Sequence, residues 1–133
     1  MKRRYFDIVL RLLWGGHFVV FGFNKLFVFQ KILASNPFSQ QVIDHFYESG
    51  YLMQTVGITQ ILTGSCILLN RFFPLAILVA FPIVLNIVLF TIFTSDYSVS
   101  AIATGGMVFF SNCYFLYQNR EKYYPLLHNR VPR

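Results

Sequence analysis

"PLAILVAFPIVLNIVLFTIF", residues 74–93, contains no charged side chain along its whole length. A helix of this length, rising about 1.5 Å per residue, crosses the roughly 30 Å hydrocarbon core of a bilayer. Two other stretches repeat the pattern: "YLMQTVGITQILTGSCILL" at 51–69 and "VSAIATGGMVFFSNCYFLY" at 99–117. A further run, from about residue 8 to 29, admits only Arg11 near its start and Lys25 near its end. Hydrocarbon offers backbone amides no partners, so runs of this length read as α-helices. The alternation over about ten residues that marks barrel strands is absent.

Composition agrees. Of the 133 residues, 56% are hydrophobic and 12% charged, about half the charge of an ordinary globular chain. Sixteen Phe and eight Tyr exceed what one soluble core of this size can hide. The expected fold class is all-α, an integral membrane four-helix bundle forming one domain over residues 1–133, with the lipid bilayer as its first partner. The "MKRR" start would suit a signal peptide. The run behind it, however, is long enough to span and ends in "LFVFQKILAS" without a small-residue cleavage site, so it reads as a retained helix.

Lys2, Arg3 and Arg4 precede the first span, Arg71 lies between the second and third, and Arg120, Lys122, Arg130 and Arg133 follow the fourth. The opposite loops hold Lys31, Asp44, Glu48 and Asp96. This asymmetry predicts both termini in the cytoplasm. The net charge of +6 then reads as orientation and as contact with anionic headgroups. Basic residues divided among short juxtamembrane segments make no single face for nucleic acid, which is set aside as a partner.

The longest connection, "QKILASNPFSQQVIDHFYESG" at 30–50, predicts a short helix opening at Asn36–Pro37 and stopping at Gly50. Phe38, Val42 and Phe46, with Ile43 and Tyr47, give it an apolar side. It reads either as an interfacial anchor or as a lid over an internal site.

Polar residues inside the spans supply the candidate ligand-binding set: His17, Asn24, Lys25, Gln60, Asn86 and Asn112. By helical rise, His17, Gln60, Asn86 and Asn112 fall within roughly 10 Å of the midplane. Such a layer either ties helix to helix by hydrogen bonds or lines a pocket for a polar headgroup. Asn24 faces the bundle near the outer end of its helix. Lys25 can snorkel to the headgroups, pair with Asp96, or grip an anionic or carbonyl-bearing ligand. Gly57 and Gly64 let a neighbouring helix approach, and Pro82 is expected to kink the third span and free the carbonyl of Leu78. Cys66 and Cys113 sit at similar depth without a C-x-x-C motif and read as small apolar fillers. No metal-ligand spacing occurs, and no catalytic residue is assigned.

In order and spacing, F-G-x-N-K at 21–25, G-x-x-Q-x-x-x-G at 57–64, N-R-x-x-P-L-A at 70–76 and N-I-x-L-F at 86–90 resemble the DoxX family of small four-helix bacterial membrane proteins. The resemblance covers about residues 11–117. It implies a bacterial inner membrane location and quinone as the candidate cofactor, because one member type is a subunit of a thiosulfate–quinone oxidoreductase. Other members look like membrane anchors of oxidative-stress complexes. A soluble or membrane oxidoreductase partner follows from the same resemblance. Relatives usually carry glutamate where Gln60 stands, and many carry histidine where Thr91 stands. A glutamate and a histidine can move protons to or from a quinone; glutamine and threonine cannot. What remains implied is a pocket that hydrogen-bonds a ligand near Asn24, Lys25, Gln60 and Asn86. The function expected first is a quinone-linked membrane subunit of a redox complex. The alternative is a non-enzymatic scaffold or a binder of lipid or small solute. A small multidrug exporter ranks last, since no buried carboxylate is present in the spans to couple protons.

Overall fold

The computed structural model describes residues 2–128, so Arg130 and Arg133 of the basic asymmetry lie outside the described residues. Among these residues the helices are α1 (Lys2–Phe27), α2 (Pro37–Glu48), α3 (Leu52–Leu69), α4 (Phe73–Phe93), α5 (Val99–Gln118) and α6 (Arg120–His128). Four of them, α1, α3, α4 and α5, are long and apolar enough to cross a membrane. The first begins at Lys2 rather than near residue 8, because Arg is a good helix former and α1 continues past the apolar run. It ends at Phe27 rather than Phe29, where Val28 takes a φ of +47°.

The outer surface is that of a lipid-solvated bundle. Leu62 is 62% exposed, Phe110 74% and Phe93 79%, all on spanning helices. Apolar side chains exposed on this scale mark a surface that meets lipid or another protein.

Inside, α1 and α3 form the tightest pair and run antiparallel. Gly22 meets Gly57, and Gly15 meets Gly64, one heptad further along both helices. A Cβ placed on Gly57 would stand 2.9 Å from the Gly22 carbonyl oxygen, and one on Gly64 would stand 2.9 Å from that of Gly15. Lipid tails are as apolar as leucine, so membrane helices associate through close backbone packing rather than through hydrophobic drive. The glycines Gly57 and Gly64 were legible in the sequence; their partners on α1 were not.

The second pair is α4 and α5. Asn112, fully buried on α5, donates through Nδ2 to the Ile77 carbonyl at 3.2 Å. That carbonyl is the neighbour of Leu78, whose bonding Pro82 removes. The two pairs join at the end that carries the termini. There Trp14 stacks on Phe115 with centroids 5.9 Å apart, Phe73 meets the same ring edge-on at 5.1 Å, and Phe18, Ile67 and Ile77 fill the remainder. Asp7 accepts from the Tyr114 hydroxyl at 2.7 Å and from Gln118 Nε2 at 3.1 Å, binding α1 to α5.

The turn from α3 to α4 places Asn70 and Phe72 at φ of 54° and 52°. Asparagine tolerates that left-handed region, whereas for a bulky phenylalanine it is strained. The helix α6 was not anticipated. Its Tyr123 hydroxyl donates to the Pro74 carbonyl at 3.0 Å, laying it across the start of α4. Arg120 and Lys122 thereby join Arg3, Arg4 and Arg71 at the terminal end.

Candidate functional site

At the other end the bundle forms a half-open cavity of about 820 Å³, walled by all four spanning helices and partly covered by α2 and the segment before it. Helix α2 forms where the sequence placed it. Asn36 caps it by accepting from the Ser39 amide at 2.8 Å, and Pro37 supplies a preset φ in the first turn. Its inward residues are Ser39 and Ile43, with Phe46 on the cavity wall, while Phe38 is 60% exposed. The apolar side is therefore turned relative to the expected one.

The lid is latched to the turn between α4 and α5. Ser39 Oγ donates to the Thr94 carbonyl at 2.9 Å, and Asn36 Nδ2 donates to the carbonyls of Thr94 and Ser95 at 3.0 and 3.2 Å. Asp96 Oδ1 accepts from the Ser35 amide at 3.1 Å and the Ser98 amide at 3.4 Å. Burial alone would push the Asp96 carboxyl up, but the hydrogen bonds from Ser35 and Ser98 outweigh it and hold the group below the usual carboxylate range. Of the options open to Lys25, pairing with Asp96 is not the one the structure shows: amides of the lid and of the α5 start engage the Asp96 Oδ1.

The chain is pinned at the end of α1. Asn24, 4% exposed, donates through Nδ2 to the Gln30 carbonyl at 2.9 Å and accepts through Oδ1 from the Gln30 amide at 2.8 Å. This reciprocal clamp holds Val28 at φ +47° between them. A β-branched residue there costs about 1–3 kcal/mol and persists only where its surroundings over-determine it. Asn24 touches the cavity, yet both its polar atoms serve the chain.

His17, Phe21 and Lys25 follow one another at steps of four and form a stripe of α1 on the cavity wall. The His17 ring stacks on Phe21 with centroids 4.1 Å apart. Lys25 Nζ lies 5.9 Å from the Phe21 centroid. Gln60 enters from α3, 1% exposed, and its Oε1 has no hydrogen-bond partner. Asn86 and Thr91 stand on the α4 wall. The Thr91 hydroxyl donates to the Ile87 carbonyl at 3.1 Å, which leaves its lone pairs available. Asn112 lies below the cavity, engaged with Ile77.

The midplane layer expected from the sequence therefore divides. His17, Gln60 and Asn86 share the cavity with Lys25, while Asn112 bonds the Ile77 carbonyl. Asn24, expected at the outer end, bonds Gln30. Ser39, Thr94 and Ser35 of the latch were missed, because their bonds join segments more than fifty residues apart in sequence. Among the described residues no group of histidines, cysteines and carboxylates could hold a metal ion. Both cysteines are free and half-buried. Compared with protein-family models, curated proteins and solved structures, the chain shows no match.

Replacing Asp96 by Ala is expected to free the lid and leave the bundle intact. A hydrogen bond to a charged group contributes about 1.5–3 kcal/mol. Amide exchange should accelerate across residues 35–48 and stay slow in α1 and α3; equal acceleration everywhere would contradict a local latch. Because the folded-state pKa is depressed, this contribution is complete above the unfolded-state value and is lost as pH falls through the lowered one. Acid should therefore reproduce the Asp96→Ala exchange pattern in the unaltered protein.

Proposed function

We propose that the chain is a DoxX-like membrane subunit holding a quinone or quinol ring in this lidded cleft for an oxidoreductase partner. In this reading it sits in a bacterial inner membrane with both termini cytoplasmic, as the grouping of Arg3, Arg4, Arg71, Arg120 and Lys122 at one end favours. The observation that carries it is the partnerless Oε1 of Gln60 on the wall of an apolar cavity. Leaving a buried acceptor without a donor costs about 1–3 kcal/mol, and a turn of the Gln60 side chain toward the cavity would let a quinol hydroxyl supply the donor.

The cavity volume of about 820 Å³ falls within the range of roughly 300–1,000 Å³ common to ligand sites. Phe21, Ile83, Phe90 and Val108 offer apolar surface for a flat ring and its tail. With glutamine and threonine at positions 60 and 91, the chain's part is to bind and orient the ring. Electron transfer belongs to the partner. The alternative, a scaffold or lipid binder, draws on Asn24, both of whose polar atoms bond Gln30, and on Asn112, whose Nδ2 donates to Ile77 while its Oδ1 is as partnerless as the Gln60 Oε1.

The two readings separate on Gln60→Leu. If the orphaned oxygen waits for a ligand, this variant loses bound quinone while the empty protein stays equally stable or gains about 1 kcal/mol. Gently extracted protein should carry near-stoichiometric quinone, reduced by Gln60→Leu and by Lys25→Ala. Quinone at bulk-lipid levels in all three proteins, with Gln60→Leu destabilised, supports the scaffold instead.

A further inference from the structure

We infer that the cleft takes its ring as an anion, a quinonoid bearing an ionised hydroxyl, with Lys25 as the counter-ion. This rests on the quinone reading and adds the charge of the occupant. The sequence holds five carboxylates, Asp7, Asp44, Glu48, Asp96 and Glu121, and their places account for all of them. Asp7 is engaged by Tyr114 and Gln118 at the terminal end. Glu121 belongs to α6 at that same end. Asp44 and Glu48 lie exposed on α2, and Asp44 accepts from Gln40 at 2.9 Å. Asp96 is on the cavity wall, but the amides of Ser35 and Ser98 hold it.

Lys25 thus lines the cavity, as Lys31 also does, without a carboxylate partner among the described residues; its ammonium lies over the face of Phe21 and within electrostatic reach of His17. Cations inside membrane proteins ordinarily pair with an acid or face a ligand route. Attraction between opposite charges grows as the surroundings become less polar, so an anion entering an apolar cavity gains more from this ammonium than it would in water. His17 stands two helical turns deeper on the same stripe, with Phe21 between them. A flat ring lying along that stripe meets Lys25 at its charged edge, and Gln60 stands on the facing helix.

Purified full-length chain in mild detergent is titrated at neutral pH with an alkylated hydroxynaphthoquinone, which is ionised there. Its methoxy counterpart, which cannot ionise, is titrated in parallel. The hydroxy form is expected to bind about tenfold tighter or more. Lys25→Met should abolish that preference while still binding both compounds, and Lys25→Arg should keep it; circular dichroism verifies that each variant is folded. Equal binding of the two compounds by the unaltered chain, or a preference that survives Lys25→Met, overturns the inference and leaves the quinone reading standing. Binding of neither compound above the detergent background overturns both.

Discussion

Gly57→Val is expected to separate α1 from α3 and to lower stability by about 3 kcal/mol, at the upper end for overpacking. The side chain would collide with the carbonyl oxygen of Gly22 at 2.9 Å and with Lys25 Cβ at 3.1 Å. Backbone cannot swing aside as a flexible side chain can, so the helices must move apart along the seam. Unfolding in micelles by added ionic detergent, followed by circular dichroism, measures the loss. Gly16→Val is the control: nothing lies within 4 Å of a Cβ there, and the change should stay within about 0.5 kcal/mol. A Gly57 variant no worse than the Gly16 variant would remove the glycine seam from the account. Because Lys25 follows that seam, loosening it should also weaken the ligand site.

Trp14→Ala should cost about 3–5 kcal/mol, the range for deleting a large buried aromatic. Trp14 is fully buried between Phe18 and Phe115, in the plug that closes the cleft toward the terminal end. Its Nε1 has no partner, so the loss is packing rather than a broken hydrogen bond. Trp14→Phe therefore should recover most of the stability, while Leu12→Ala, half exposed on the same helix, should change little. The same unfolding assay ranks the three. A Trp14→Ala protein as stable as the Leu12 variant would mean that the two helix pairs are joined elsewhere.

The candidate site was only partly legible. Lys25 and Gln60 stood out because charged and amide groups are rare in apolar spans, and both reach the cavity. Asn24 stood out equally, yet its amide bonds the backbone of Gln30 six residues on. Asn112 was grouped with Gln60 by depth, but an amide at a given depth can serve a neighbouring carbonyl as readily as a ligand, and depth does not say which. The latch residues were silent for a different reason. Ser39 and Thr94 are ordinary in a loop or a helix end until the chain brings them together.

Helix α6 escaped for want of a signal. Arg120–His128 is short and polar and contains Pro125, so neither apolar length nor a clear period marks it. A contact with Pro74 positions it. By contrast, the start of α2 was written locally, in an asparagine cap followed at once by proline.

By itself, then, the amino-acid order determined how many times the chain can cross hydrocarbon, and that the crossings are helical. Both follow from one-dimensional facts: the length of uncharged apolar runs and the absence of backbone partners in lipid. Tertiary structure alone decided which glycine meets which, which amides support the fold, and that among the described residues Lys25 is left without a carboxylate partner. Those outcomes depend on distances between groups far apart in sequence. In a bilayer no hydrophobic gradient turns a helix face inward, so close packing and hydrogen bonding between helices settle them.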